Sequence, residues 1–259
     1  MISVYKGYFA IYWVVGALCV ICAGLWSHFF DASWGLAFPV VVSILIITVI
    51  ILHRLAMKKF TSEVISCYNE CRVREFMDKL NKLLGNKRSK QMRSFYNYLA
   101  AMGYSALGDY DSLYECLPKI TAKSHRTEYL KRSIDYYFYN DQIELAQPYI
   151  DELKTLYEKQ RNKAYKASLQ LFLKYTDIYI RVKNGNYEGA EEFFLGILNS
   201  PAAKAPITKA SFSCGLAFLL IKMGDVEGAK PYLKTASVFG GDTRYKTKAD
   251  KKLAELEQI

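Results

Sequence analysis

Histidine is scarce in this chain of 259 residues: there are three, His28, His53 and His125, and none stands in ligand spacing with a cysteine. Cys67 and Cys71 lie one helical turn apart, but a zinc site would need two further donors. Cys19, Cys22, Cys116 and Cys214 are spread out, so reduced, structurally inert thiols are expected. Proline is thin as well, with six residues, five of them in 54–259. Apolar residues there recur at three and four, and no stretch alternates, so the region reads as all-α. Motifs of chemistry are missing too: there is no G-x-S-x-G, no P-loop and no H-E-x-x-H. Glu191 and Glu192 are adjacent and point apart on a helix, a poor acid–base pair. No enzymatic activity, cofactor or metal is expected.

Charge is absent from two runs. Tyr8–Trp26 and Trp34–Leu52 are each nineteen residues without Asp, Glu, Lys or Arg. At about 1.5 Å per residue, each spans the ~30 Å hydrocarbon core. The first run is longer than a signal h-region and no A-x-A site follows it, so an uncleaved span is expected. Leu18 and Ile21, before Cys19 and Cys22, do not suit a lipobox. The short segment Ser27–Ser33 forces an antiparallel hairpin and carries no Lys or Arg. Lys6, Arg54, Lys58 and Lys59 flank the opposite ends, which places both termini and the long C-terminal part in the cytoplasm. Trp26, Phe29, Phe30 and Trp34 fit an outer aromatic belt. The expected organisation is an integral membrane hairpin over 1–53, with spans near 8–26 and 34–52, followed by a cytoplasmic region over 54–259. Spans without a charged residue argue against a pore formed by this chain alone.

The cytoplasmic region repeats itself. "LGDYDSLYECLPKI", "YNDQIELAQPYIDEL", "NGNYEGAEEFFLGIL" and "MGDVEGAKPYLKTA" each hold a polar turn, an apolar residue and a helix opened by acid. Aligned on the apolar residue, they place Tyr110, Ile143, Tyr187 and Val226 together, at spacings of 33, 44 and 39. Three later stand Leu113, Ala146, Ala190 and Ala229, and four after those Leu117, Ile150, Phe194 and Leu233. A weaker copy begins at Val73, with Phe76 and Leu80. Leu107-Gly108-Asp109-Tyr110, Gly185-Asn186-Tyr187-Glu188-Gly189-Ala190 and Met223-Gly224-Asp225-Val226-Glu227-Gly228-Ala229 resemble the turn of the tetratricopeptide repeat family, whose unit is two antiparallel helices. Ala101 with Tyr104, and Ala217 with Leu220, match that family's small and large positions. Asn97, Lys174 and Ser213 stand where it has a large residue. The resemblance covers roughly 57–240 and implies an α-solenoid of about four to five hairpins, in which stacking buries a shared core. A C-terminal capping helix from near Thr243 to Leu256 is expected, with Asp242 able to cap it.

The chain carries +10, and the charges are sorted. The links between hairpins, 85–93, 119–132, 159–166 and 199–209, together with 244–252, hold twenty Lys or Arg and two acids, Glu128 and Asp250. The turns inside hairpins hold seven acids and no base. Two accounts stand side by side: compensation of helix dipoles, which favours acids at N-termini and bases at C-termini, and a functional basic edge. Lys87, Arg88, Lys90 and Arg93, nearest the membrane helices, are the candidates for meeting an anionic leaflet.

Tyrosine is abundant, at 21 residues, many on leading helices. The resemblance implies that leading helices line a concave groove, where Tyr96, Tyr136, Tyr175 and Tyr179 become candidate contacts; closing the core between repeats is the alternative role. Bases and aromatics fall on different elements, which disfavours nucleic acid. The expected function is a membrane-anchored cytoplasmic scaffold that binds a protein or peptide. The alternatives are a regulatory sensor of a peptide or lipid, or an accessory subunit of a membrane enzyme or transporter complex.

Overall fold

The structure, a computed structural model, describes residues 6–30, 34–86 and 89–258. Among them every regular element is helical and there is no strand. The chain divides into two compact units, Met1–Ser66 and Cys67–Ile259.

The first unit holds α1 (Lys6–Phe30), α2 (Trp34–Phe60) and a π-helical turn, Thr61–Ile65. α1 and α2 pack together. Gly16 faces Leu45, and a Cβ at Gly16 would lie 3.9 Å from the Leu45 Cδ2. Ser27–Phe30 continues α1, since no proline or glycine stops it there; residues 31–33 of the expected loop lie outside the described residues. Likewise nothing breaks α2 at Leu52, and helical backbone continues to Asn69. Among the described residues one helix, Pro39–Asn69, is long and apolar enough to cross a membrane, while Trp13–Leu25 is a shorter apolar helix.

After α3 (Ser66–Asn69) come α4 (Val73–Leu84), α5 (Lys90–Leu107), α6 (Tyr110–Cys116), α7 (Arg126–Tyr139) and α8 (Ile143–Lys159). They are followed by α9 (Lys163–Lys183), α10 (Ala190–Leu198), α11 (Pro206–Lys222), α12 (Val226–Phe239) and α13 (Arg244–Leu256). One backbone feature recurs. The turns before α4, α6, α8, α10 and α12 each contain a left-handed residue: Cys71 (φ 59°), Gly108 (81°), Asp141 (58°), Gly185 (79°) and Gly224 (89°). Each stands two residues before the aligned apolar position, Val73, Tyr110, Ile143, Tyr187 or Val226. Glycine takes this conformation without steric cost, and Asp tolerates it. In two of these turns the next residue caps the new helix: Asp109 accepts from the Ser112 N–H at 3.1 Å and Asp225 from the Gly228 N–H at 2.8 Å.

Packing follows the same alignment. Ala146, Ala190 and Ala229 are buried, and so are Leu113, Ile150, Phe194 and Leu233. Small side chains let helices approach, and the larger ones fill the layer beside them. One apolar core gathers Leu130, Ile134, Phe138, Ile150, Leu153 and Leu169. A second gathers Ile178, Phe194, Leu216, Leu220, Leu233 and Ala249. α9 contributes Leu169 to one and Ile178 to the other.

The C-terminal end returns to the beginning of this unit. Asp242 corrects the expectation that it caps α13: Thr243 holds that N-cap position without a side-chain capping bond, its hydroxyl donating instead to the Gly240 carbonyl at 2.6 Å. The Asp242 carboxylate instead accepts from the N–H groups of Val73 (2.6 Å) and Arg74 (2.8 Å), across 169 and 168 residues. The reason is local to α4. Its own N-cap residue, Arg72, offers no side-chain acceptor, so the free N–H groups of its first turn need one from elsewhere. The Asp242 N–H also donates to the Cys71 carbonyl at 3.0 Å.

Candidate binding face

Six side chains converge from five elements of the second unit. Tyr68 comes from α3, Tyr98 from α5, Arg132 and Asp135 from α7, Tyr175 from α9 and Tyr245 from α13. All are half-buried. Four of the six come from the leading helices α5, α7 and α9. Arg132 and Asp135, at i and i+3, pair through Nη1 and Oδ2 at 2.6 Å, with 18% and 17% of their side chains exposed. The Arg132 Nε is buried and lacks a hydrogen-bond partner among the described residues. Neither do the hydroxyls of Tyr68, Tyr98 and Tyr175 have a hydrogen bond to a described residue.

Electrostatics shows how closely these groups sit. Burial raises the Asp135 carboxyl above its ordinary range, against the pull of Arg132 and Lys131. Burial also works against the Arg132 cation, but Asp135 and the nearby tyrosines more than offset it, and the guanidinium stays charged. The Tyr98 phenol is pushed up to about 12, first by burial and then by Glu128. Tyr68 and Tyr175 are raised further, chiefly by burial, and both feel Asp135 and Tyr245. Burial thus keeps the Tyr68, Tyr98 and Tyr175 phenols protonated beside the Arg132–Asp135 pair. The face offers hydrogen-bond donors, acceptors and flat aromatic surface around one Arg–Asp pair.

The candidate groove residues divide. Tyr175 belongs to this face. Tyr179, one turn further along α9, stacks on Phe138 at 4.2 Å and donates its hydroxyl to the Phe138 carbonyl at 2.7 Å. Tyr136 stacks on Tyr114 at 4.9 Å, and Tyr96 donates to the Asn81 side chain of α4. Those three close contacts between neighbouring helices. Arg132, Asp135, Tyr68 and Tyr245 were not singled out from sequence. An Arg and an Asp three apart are a common exposed pair, and nothing local marks this one as buried.

Of the candidate basic edge, Lys87 and Arg88 lie outside the described residues. Lys90 and Arg93 are exposed, without an ion pair among the described residues. The links divide likewise. Lys119, Lys123, Lys159, Arg161, Lys163 and Lys204 are exposed and without a described ion pair. Lys131 and Arg132 instead sit inside α7, paired with Glu128 and Asp135. Arg244 lies over the Tyr110 ring at 5.3 Å.

Two further clusters were missed. Ser94 Oγ and His125 Nδ1 are 3.1 Å apart. Ser94 is fully buried and accepts the Ala122 N–H at 2.9 Å, so it clips the loop to α5 and is closed to a substrate. Cys19 and Cys22 correct the reading of the cysteines as spread out and without a C-x-x-C: they have that spacing within α1, and both are free thiols. Among the described residues no group of three or more His, Cys, Asp or Glu could hold a metal ion. In comparisons with known proteins, no family model, no curated protein and no solved structure matches the chain.

Proposed function

We propose that the chain is a membrane-anchored scaffold whose helical hairpins, similar to tetratricopeptide repeats and stacked as a solenoid, bind a protein or peptide in the cytoplasm. The observation that carries this reading is the face formed by Tyr68, Tyr98, Arg132, Asp135, Tyr175 and Tyr245. Hydroxyls without a hydrogen bond to a described residue, on rigid aromatic rings, suit contact with a polypeptide, because tyrosine gives area at low entropic cost. α1 and α2 act as a two-span hairpin in this reading. Exposed Trp13, Val14, Ile21, Ile46 and Ile47 support it, since so much apolar surface is costly in water and favourable in lipid. The basic residues flanking the spans favour cytoplasmic termini.

The test is affinity capture from detergent-solubilised membranes. Wild type should retain a partner that Tyr175→Ala and Arg132→Ala each lose, while Lys230→Ala, which removes only a half-buried partner of Glu227 on α12, keeps it. Equal capture by all forms would reject this face as the binding surface. A second reading, contact of the basic edge with anionic lipid, is favoured by the run of exposed, unpaired link bases.

A further inference from the structure

The second unit is closed by a seam unlike its cores. On one side is the N-terminal block, with the turn before α4 and the turns at Gly108 and Tyr139. On the other is the C-terminal block, with Gly240–Asp242 and α13. Hydrogen bonds and cation–π contacts cross it: the two hydrogen bonds to Asp242, the Asp242 N–H to the Cys71 carbonyl, Arg244 over Tyr110 at 5.3 Å and Lys248 over Tyr139 at 5.9 Å. Gly241 is left-handed (φ 53°) and lies so close to Cys71 that a Cβ on it would come within 2.8 Å of the Cys71 Cβ. Two apolar cores of the described residues lie within the blocks, one built from α7, α8 and α9 and the other from α9 to α13, while the buried Phe76, Leu80 and Leu113 of α4 and α6 belong to neither. α9, 21 residues long, joins them.

We propose that this seam opens as a unit while both cores stay folded, and that it gates the tyrosine-lined face, with Tyr245 of α13 as the side chain withdrawn on opening. Apolar burial grows with buried area, whereas each hydrogen bond exchanges protein for water at little net gain. Contiguous regions held mainly by polar contacts are the ones that open below the global unfolding limit. Opening separates α13 from Tyr68 and lets a chain enter the face from the side. The seam's opening does not depend on what the face binds.

The buried thiols report on it. Cys71 is on the seam; Cys116 is in α6, and Cys214 is within the C-terminal core. Burial pushes all three thiols up to about 11, with Asp242 adding to the rise at Cys71, so Arg244→Ala is the variant that leaves the charge beside Cys71 in place. The experiment is time-resolved thiol labelling of the full chain in detergent, read cysteine by cysteine by peptide mass spectrometry. Cys71 should label at least about tenfold faster than Cys116 and Cys214. Asp242→Ala should speed Cys71 by roughly a further tenfold and leave the other two unchanged. Arg244→Ala, at the other end of the seam, should act in the same direction. One shared rate for the three thiols in wild type, or equal acceleration of all three in both variants, would overturn the proposal and make the seam part of a single cooperative fold. Loss of partner capture with selective Cys71 labelling intact would count against the binding reading alone.

Discussion

Ala229 offers a sharp test of the repeat alignment. It lies on α12, fully buried, in the core shared with Leu216, Ala217 and Leu220 of α11. The alignment equates it with Ala190 and Ala146, which are also buried. Ala229→Leu adds three carbons where α11 and α12 meet closely. Overpacking a filled contact costs about 1–3 kcal/mol. For a domain of this size, each kcal/mol moves Tm by about 2–4 °C, so a drop of roughly 4–8 °C is expected from a cost of about 2 kcal/mol. Ala229→Arg should fall further, because a buried charge without a partner adds to the steric cost. The control is Glu188→Ala. Its side chain is exposed, and the hydrogen bonds at this residue use its backbone: the N–H donates to Asn186 and the carbonyl accepts from Arg181. Its effect should stay within about 0.5 kcal/mol. Thermal unfolding of the full chain in detergent, followed by circular dichroism, measures all three. Equal, small shifts for Ala229→Leu and Glu188→Ala would refute the alignment.

Further outcomes follow from the same contacts. Arg132→Leu should cost more than the double variant Arg132→Leu/Asp135→Leu, since the single change strands a recessed carboxylate; a double-mutant cycle by denaturant unfolding reads the difference. Burial lowers the His125 imidazole below its usual 6.5, so stability should fall as pH drops through 6.5 toward its folded value, and His125→Gln should flatten that part of the profile. A reporter active only outside the cell, fused after Ile259, should be silent; activity there would reverse the proposed orientation. Changing Lys87, Arg88, Lys90 and Arg93 to Gln should weaken salt-sensitive binding of residues 67–259 to anionic vesicles, where four charges contribute about 4 kcal/mol at low salt.

How much of this could be seen in the sequence depends on how local each cause is. The turns at Gly108, Gly185 and Gly224 were legible because glycine marks a left-handed residue. The equivalent positions at Cys71 and Asp141 carry no such mark, although the apolar residue two places on still reveals the register. The buried alanines were legible through spacing alone. Asp242 looked like a cap for the helix beside it, and it does cap a helix, but one 169 residues away. No local pattern records that α4 begins without its own acceptor and that the chain's end returns to supply one. Tyr175 and Tyr179 look alike in sequence, one turn apart on one helix. The structure separates them because the Phe138 carbonyl lies within reach of the second hydroxyl only. Arg132 counted as a linking base until its position on α7 turned it inward.

The central claim is that the face around Tyr175 is where a partner binds. Photo-cross-linking in intact membranes tests it directly, with a benzophenone side chain placed at Tyr175, at Tyr68 and at Val238, which is 76% exposed at the end of α12. Positions 175 and 68 should share one cross-linked partner band, weakened by Arg132→Ala, and position 238 should give no such band. A band from position 238 alone, or bands at 175 and 68 that ignore Arg132→Ala, would contradict it.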